Sequence, residues 1–77
     1  MTPHARYEVG WMKDDDANVV ASASLKGTAI LWARNASNNT RVKGYTYYVF
    51  DRMARHGSLC RWDFQNGEIV NQVRRDK

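Results

Sequence analysis

Lys43-Gly44-Tyr45-Thr46-Tyr47-Tyr48-Val49-Phe50-Asp51 is the stretch in which aromatic and β-branched residues stand in the longest continuous register. Such residues favour a pleated, half-buried surface. Alternation puts Tyr45, Tyr47 and Val49 on one face and Thr46, Tyr48 and Phe50 on the other, so neither face is written for plain solvent. A strand apolar on both sides belongs in the middle of a sheet, with a helix over one side and a second layer, a partner subunit or a ligand over the other.

The flanks supply the rest of that sheet. From Arg6 to Met12 the pattern alternates, Tyr7, Val9 and Trp11 against Glu8, Gly10 and Met12, as a strand with one buried face does. Lys13 to Asn18, with the acidic run Asp14-Asp15-Asp16, reads as a turn, and Val19 to Ser24 as a second strand, poor in bulk and suited to a sheet edge. Between Leu25 and Asn38 the period lengthens: Leu25, Ala29, Trp32 and Ala36 fall in one helical stripe, with Ser24 or Thr28 as the N-cap. Asn35, Ser37, Asn38 and Asn39 offer the backbone competing hydrogen bonds and end the helix. A competing reading makes Thr28 to Arg34 a strand and the protein an all-β meander. After the central strand, Arg52 to Gly57 is a basic turn. Ser58 to Gln65 alternates again, with Cys60, Trp62 and Phe64 on one side. Asn66-Gly67 is a hairpin signal, since both central positions of a type I′ turn need positive φ, and Glu68 to Val73 returns as the last strand. The expected architecture is α+β, in the order β-β-α-β-β-β, with an antiparallel sheet of about five strands and one helix on one face.

A chain of 77 residues makes a single small domain, 1–77, with residues 1–5 and 74–77 expected to be flexible. One cysteine, Cys60, allows no intrachain disulfide, and Met1-Thr2-Pro3-His4 lacks the basic and apolar regions of a secretion signal. Both point to the cytoplasm, and no apolar run is long enough for membrane insertion. Asn35-Ala36-Ser37 and Asn38-Asn39-Thr40 match the glycosylation sequon but without a secretory route mark only a polar loop. Through Thr40 four basic residues balance four acidic ones, while the remainder carries eight basic against four acidic. The whole excess of +4 therefore lies in the second half and suggests an anionic partner.

Motifs for chemistry are sparse. Asp14-Asp15-Asp16 lacks the ligand spacing of a calcium loop, and His56 with Cys60 has no third group to orient a nucleophile. His4, His56 and Cys60 form no paired zinc motif. No catalytic residue, metal site or cofactor is expected, and the chain reads as a binding protein and not as an enzyme. A flat interface centred on aromatic and arginine anchors would use Tyr45, Tyr47, Arg52, Arg55 and Arg61. A symmetric homodimer is expected from the sheet face that one helix leaves uncovered and from Ile30 and Leu31, which fall off the main helical stripe.

Two resemblances bear on the partner. Lys43 to Phe50 resembles the RNP1 strand of the RNA-recognition motif in Lys43, Gly44, Tyr45 and Phe50, with Tyr47 as an aromatic substitute, while Thr46 and Tyr48 depart from it. That resemblance implies exposed rings stacking on bases, and a nucleic-acid surface of Arg41, Lys43, Tyr45, Tyr47, Arg74 and Arg75. In size and layout, with its Ala-Ile-Leu-Trp-Ala helix, its Tyr-x-Val-Phe-Asp strand and its Asn-Gly-Glu-Ile-Val hairpin, the chain is similar to the small accessory proteins of phages and mobile elements, anti-CRISPR proteins among them. This second resemblance implies a non-enzymatic inhibitor, acting in the cytoplasm of a bacterial host, that binds a defence complex and blocks its access to target DNA or its nuclease.

Overall fold

The computed structural model describes residues 5–39 and 45–76. Its elements are β1 (Tyr7–Lys13), β2 (Asp16–Ala23), α1 (Lys26–Asn39), β3 (Thr46–Asp51), β4 (Leu59–Gln65) and β5 (Glu68–Arg74). They form one antiparallel sheet in the order β2-β1-β3-β4-β5, with the aromatic strand at its centre. The helix, one of six elements as expected, excludes the all-β meander. Arg41, Lys43 and His4 lie outside the described residues.

The turns follow from local chemistry. At the β4–β5 corner Gln65 pairs with Glu68, and Asn66 and Gly67 take φ of 54° and 80°, as a two-residue hairpin turn requires. The β1–β2 turn is tighter than the sequence suggests, because Asp14 takes φ of 54° and the chain re-enters the sheet at Asp16 and not at Val19. Aspartate tolerates that conformation better than bulkier side chains do.

One face of the sheet carries Tyr7, Val9, Val49, Trp62 and Phe64 to the helix. The helix answers with small residues: Ala29, Ala33 and Ser37, four apart, are buried, and Ile30 packs beside them. The expected stripe is thus rotated. Leu25 and Leu31 are exposed and Trp32 is 43% exposed, whereas Trp62 on the sheet is 6% exposed. The physical reason is volume. The sheet already supplies the large side chains, so only alanine and serine let the helix approach it. Leu25, and not Ser24 or Thr28, stands at the helix start, its carbonyl accepting from the Ala29 N–H at 3.2 Å. Ser37 does not terminate the helix. Its Oγ donates to the Arg34 carbonyl at 3.0 Å and accepts from the Gly67 N–H at 2.9 Å, tying the helix to the hairpin turn.

Strand β4 also departs from simple alternation. Leu59 pairs with Arg74 and Arg61 with Val73, so Cys60 is an extra, bulged residue, and Leu59 joins the helix-side packing. Arg74 closes β5, and Arg75 exchanges backbone hydrogen bonds with Gly57 and Ser58 at 2.8 Å each.

Candidate partner-binding surface

The face of the sheet away from the helix is held by charge and not left bare. Glu8 accepts the Tyr48 hydroxyl at 2.8 Å on one carboxylate oxygen and Arg52 at 2.7 Å on the other. Two strands away, Asp63 accepts from Arg61 Nη2 and from Asn71 Nδ2, each at 3.2 Å. Arg61 Nε also faces Asp63 Oδ1 at 3.0 Å, an ion contact without hydrogen-bond alignment. Gln65 donates to Thr46 Oγ1 at 2.8 Å. Between these groups lies a shallow depression of about 250 Å³, lined by Glu8, Met12, Ala17, Tyr48, Phe50 and Arg61. Burial first, and then the hydrogen bond to Glu8, push the Tyr48 phenol up to about 12.

The same end of the sheet gathers arginines. The start of β1, the end of β3, the loop 52–58 and the end of β5 meet there, because Tyr7 pairs with Asp51 and Leu59 with Arg74. Arg6 grips both oxygens of buried Asp51, at 2.8 and 3.0 Å, and the Met53 N–H caps the same carboxylate at 3.0 Å. This hydrogen-bonded guanidinium holds the Asp51 carboxyl below the usual carboxylate range, against the opposing effect of its burial. Arg74 Nη1 donates to the Gly57 carbonyl at 2.9 Å. Arg6 and Arg52 are thereby matched to Asp51 and Glu8. Among the described residues, Arg55, Arg74 and Arg75 are exposed and make no ion pair.

The expected anchors are divided between the two faces. Arg52 and Arg61 stand on the open face, and Arg55 is exposed in the loop 52–58 that follows β3. Tyr47 instead packs against the helix-side core. Tyr45 sits edge-on to Trp11 at 5.0 Å between ring centroids, with Lys13 Nζ 5.1 Å above its ring. The phase implied by the RNP1 resemblance is therefore reversed: Tyr48 and Phe50 face outward, while Tyr47 packs beneath the sheet and Tyr45 is taken up by Trp11. Sequence reasoning missed Glu8, Tyr48, Asp63 and Asn71. Alternation placed Tyr48 opposite Tyr47 correctly, but nothing local told which face the helix would take.

His56 is exposed and Cys60 is buried, and no three His, Cys, Asp or Glu side chains gather as a metal-ligand set among the described residues. No helix among them is long and apolar enough to cross a membrane. No family model, curated protein or solved structure matches this chain at a significant level.

Proposed function

We propose that the protein is a non-enzymatic binding module that docks the arginine-rich end of its sheet, with the adjoining Tyr48 and Phe50 face, on an anionic surface of a larger complex. The observation that carries this reading is the disposition of charge: Arg6 and Arg52 are taken up by Asp51 and Glu8, while the exposed Arg55, Arg74 and Arg75, at one end of the molecule, have no acidic partner among the described residues, Arg74 meeting only the Gly57 carbonyl. Exposed arginines beside an aromatic face supply hydrogen-bonding forks and flat apolar area together, the composition of interface centres. In the setting that the layout resembles, the partner is a bacterial defence complex whose path to DNA or whose nuclease is occluded. A second reading, direct binding of nucleic acid, draws on the same three exposed arginines, with Phe50 and not Tyr45 and Tyr47 as its ring, since Tyr48 is 7% exposed.

The test is affinity capture from bacterial lysate with and without nuclease, joined to titration of the purified protein with single-stranded RNA and duplex DNA at low and moderate salt. Capture of a defined protein complex that survives nuclease, and that weakens with Arg55→Glu, supports the first reading. Binding to nucleic acid alone, falling log-linearly with salt, transfers the function to the second. Absence of both overturns the proposal.

A further inference from the structure

We propose that β5 is a self-complementary edge through which two copies of the chain pair antiparallel about a two-fold axis, joining two five-stranded sheets into one. Strand β5 is outermost and pairs only with β4. The backbone bonds of Arg75 to Gly57 and Ser58 extend that same inner ladder, because Ser58 leads into β4. Among the described residues nothing pairs with the outer row of N–H and C=O groups; β5 has a bulge at Val70, one of the guards of edge strands, but the other usual guards are charges or proline at mid-strand. Here Ile69-Val70-Asn71-Gln72-Val73 carries neither, and Ile69 and Val70 are 40% and 53% exposed.

Charge selects the occupant. The strand begins at Glu68 and ends at Arg74, followed by Arg75, so its two ends have opposite sign. Antiparallel pairing about a two-fold axis sets Glu68 of each copy beside Arg75 of the other on the open face, and every favourable contact occurs twice. The bulge at Val70, where Asp63 pairs with Asn71 and Phe64 with Ile69, shifts the alternation of β5, so that Glu68 shares the open face with Asn71, Val73 and Arg75 while Arg74, opposite Leu59, turns to the helix side. The other edge has no such complement. Strand β2 also exposes valines, Val19 and Val20, but it carries Asp16 at one end and no basic residue at all. The nearest cation beyond it, Lys26, lies over the Trp62 ring at 4.4 Å. The pairing thus differs from a dimer through the open face, which the Glu8 and Asp63 networks already occupy, and it leaves Arg55 outside the contact.

Sedimentation equilibrium of the purified protein, alone and at low and high salt, tests this. A dimer that salt weakens is expected. Glu68→Arg and Arg75→Glu should each shift the equilibrium toward monomer by roughly tenfold or more, from like charges set side by side. Mixing the two variants should restore a dimer, since each then presents the charge that the other lacks. Val70→Lys, a charge at mid-edge, should also give monomer, and circular dichroism confirms that each variant is folded. A wild-type monomer at the highest soluble concentration, dimers that survive the reversals, or a mixture that stays monomeric would each overturn the proposal. The pairing uses Arg75, which the partner-binding reading also uses, so the two are told apart by Glu68→Arg, which should break the dimer, and by Arg55→Glu, which should leave the dimer intact and weaken capture of the partner.

Discussion

The ring of Tyr48 lies across Gly10 on the neighbouring strand: a Cβ at Gly10 would stand 2.6 Å from its Cε2 and Cζ and 2.5 Å from the backbone oxygen of Asn18. The glycine is there for closeness of approach. With Glu8 holding the hydroxyl, the ring is fixed flat against the sheet and forms a wall of the depression on the open face. Gly10→Ala should therefore cost about 1–3 kcal/mol, the usual range for overpacking, measured as a lower urea midpoint with unchanged slope. Stability equal to wild type would mean that the ring moves freely.

Tyr48 should also announce itself spectroscopically. Ultraviolet titration is expected to show one phenol ionising at about 12, a step missing from Tyr48→Phe. Since the folded value is raised above the unfolded one, the associated stability is fully present below the unfolded value and is lost as pH rises through the folded value.

Asp51 gives the opposite sign. Its folded pKa is lowered by Arg6, so its contribution is present above the unfolded carboxylate value and is lost as pH falls through the folded one. Stability from urea unfolding, followed by tryptophan fluorescence at a series of pH values, should fall as pH drops from the unfolded carboxylate value toward the lower folded one, and Asp51→Asn should flatten that limb. An unchanged acid limb would show the Arg6 pair to be without thermodynamic weight.

Two of the three tryptophans, Trp62 and Trp32, should separate cleanly. Trp62→Ala empties a core site and should lose about 3–5 kcal/mol, whereas Trp32→Ala, on an exposed helix face, should change stability by roughly 0.5 kcal/mol or less. Equal losses would mean that Trp32 is covered in solution, and a concentration dependence would identify the cover as another copy.

Arg52 and Arg55, three positions apart in the loop and equally basic, should not behave alike. Arg52→Glu sets a carboxylate against Glu8 and should lower stability by about 1–3 kcal/mol, the usual cost of leaving a hydrogen-bonded charge without its partner. Arg55→Glu should leave the melting curve in place and slow association with the partner. If both variants melt as wild type does, the Arg52 pair adds nothing to stability.

The order of elements, the central place of the aromatic strand and the Asn66-Gly67 turn were legible in the chain, because each depends on local period or on the φ that a residue tolerates. Tyr48 and Phe50 were likewise known to share a face. What the sequence could not tell was which face that is. Helix α1 offers apolar residues around much of its circumference, and the stripe richest in bulk, with Leu25 and Trp32, is not the one it buries.

That choice belongs to tertiary structure. Trp62 and Phe64 already fill the space over the sheet, so the helix can close on it only with Ala29, Ala33 and Ser37. Cross-strand register then brings Glu8 to Tyr48 and Arg52, and the bulge at Cys60 turns Leu59 inward. Alternation and turn chemistry are properties of a few consecutive residues, and the sequence by itself determined them. The site is a property of residues some forty positions apart, Glu8 with Tyr48 and Arg6 with Asp51. Their meeting is decided by strand register and by the volumes opposing one another across the core.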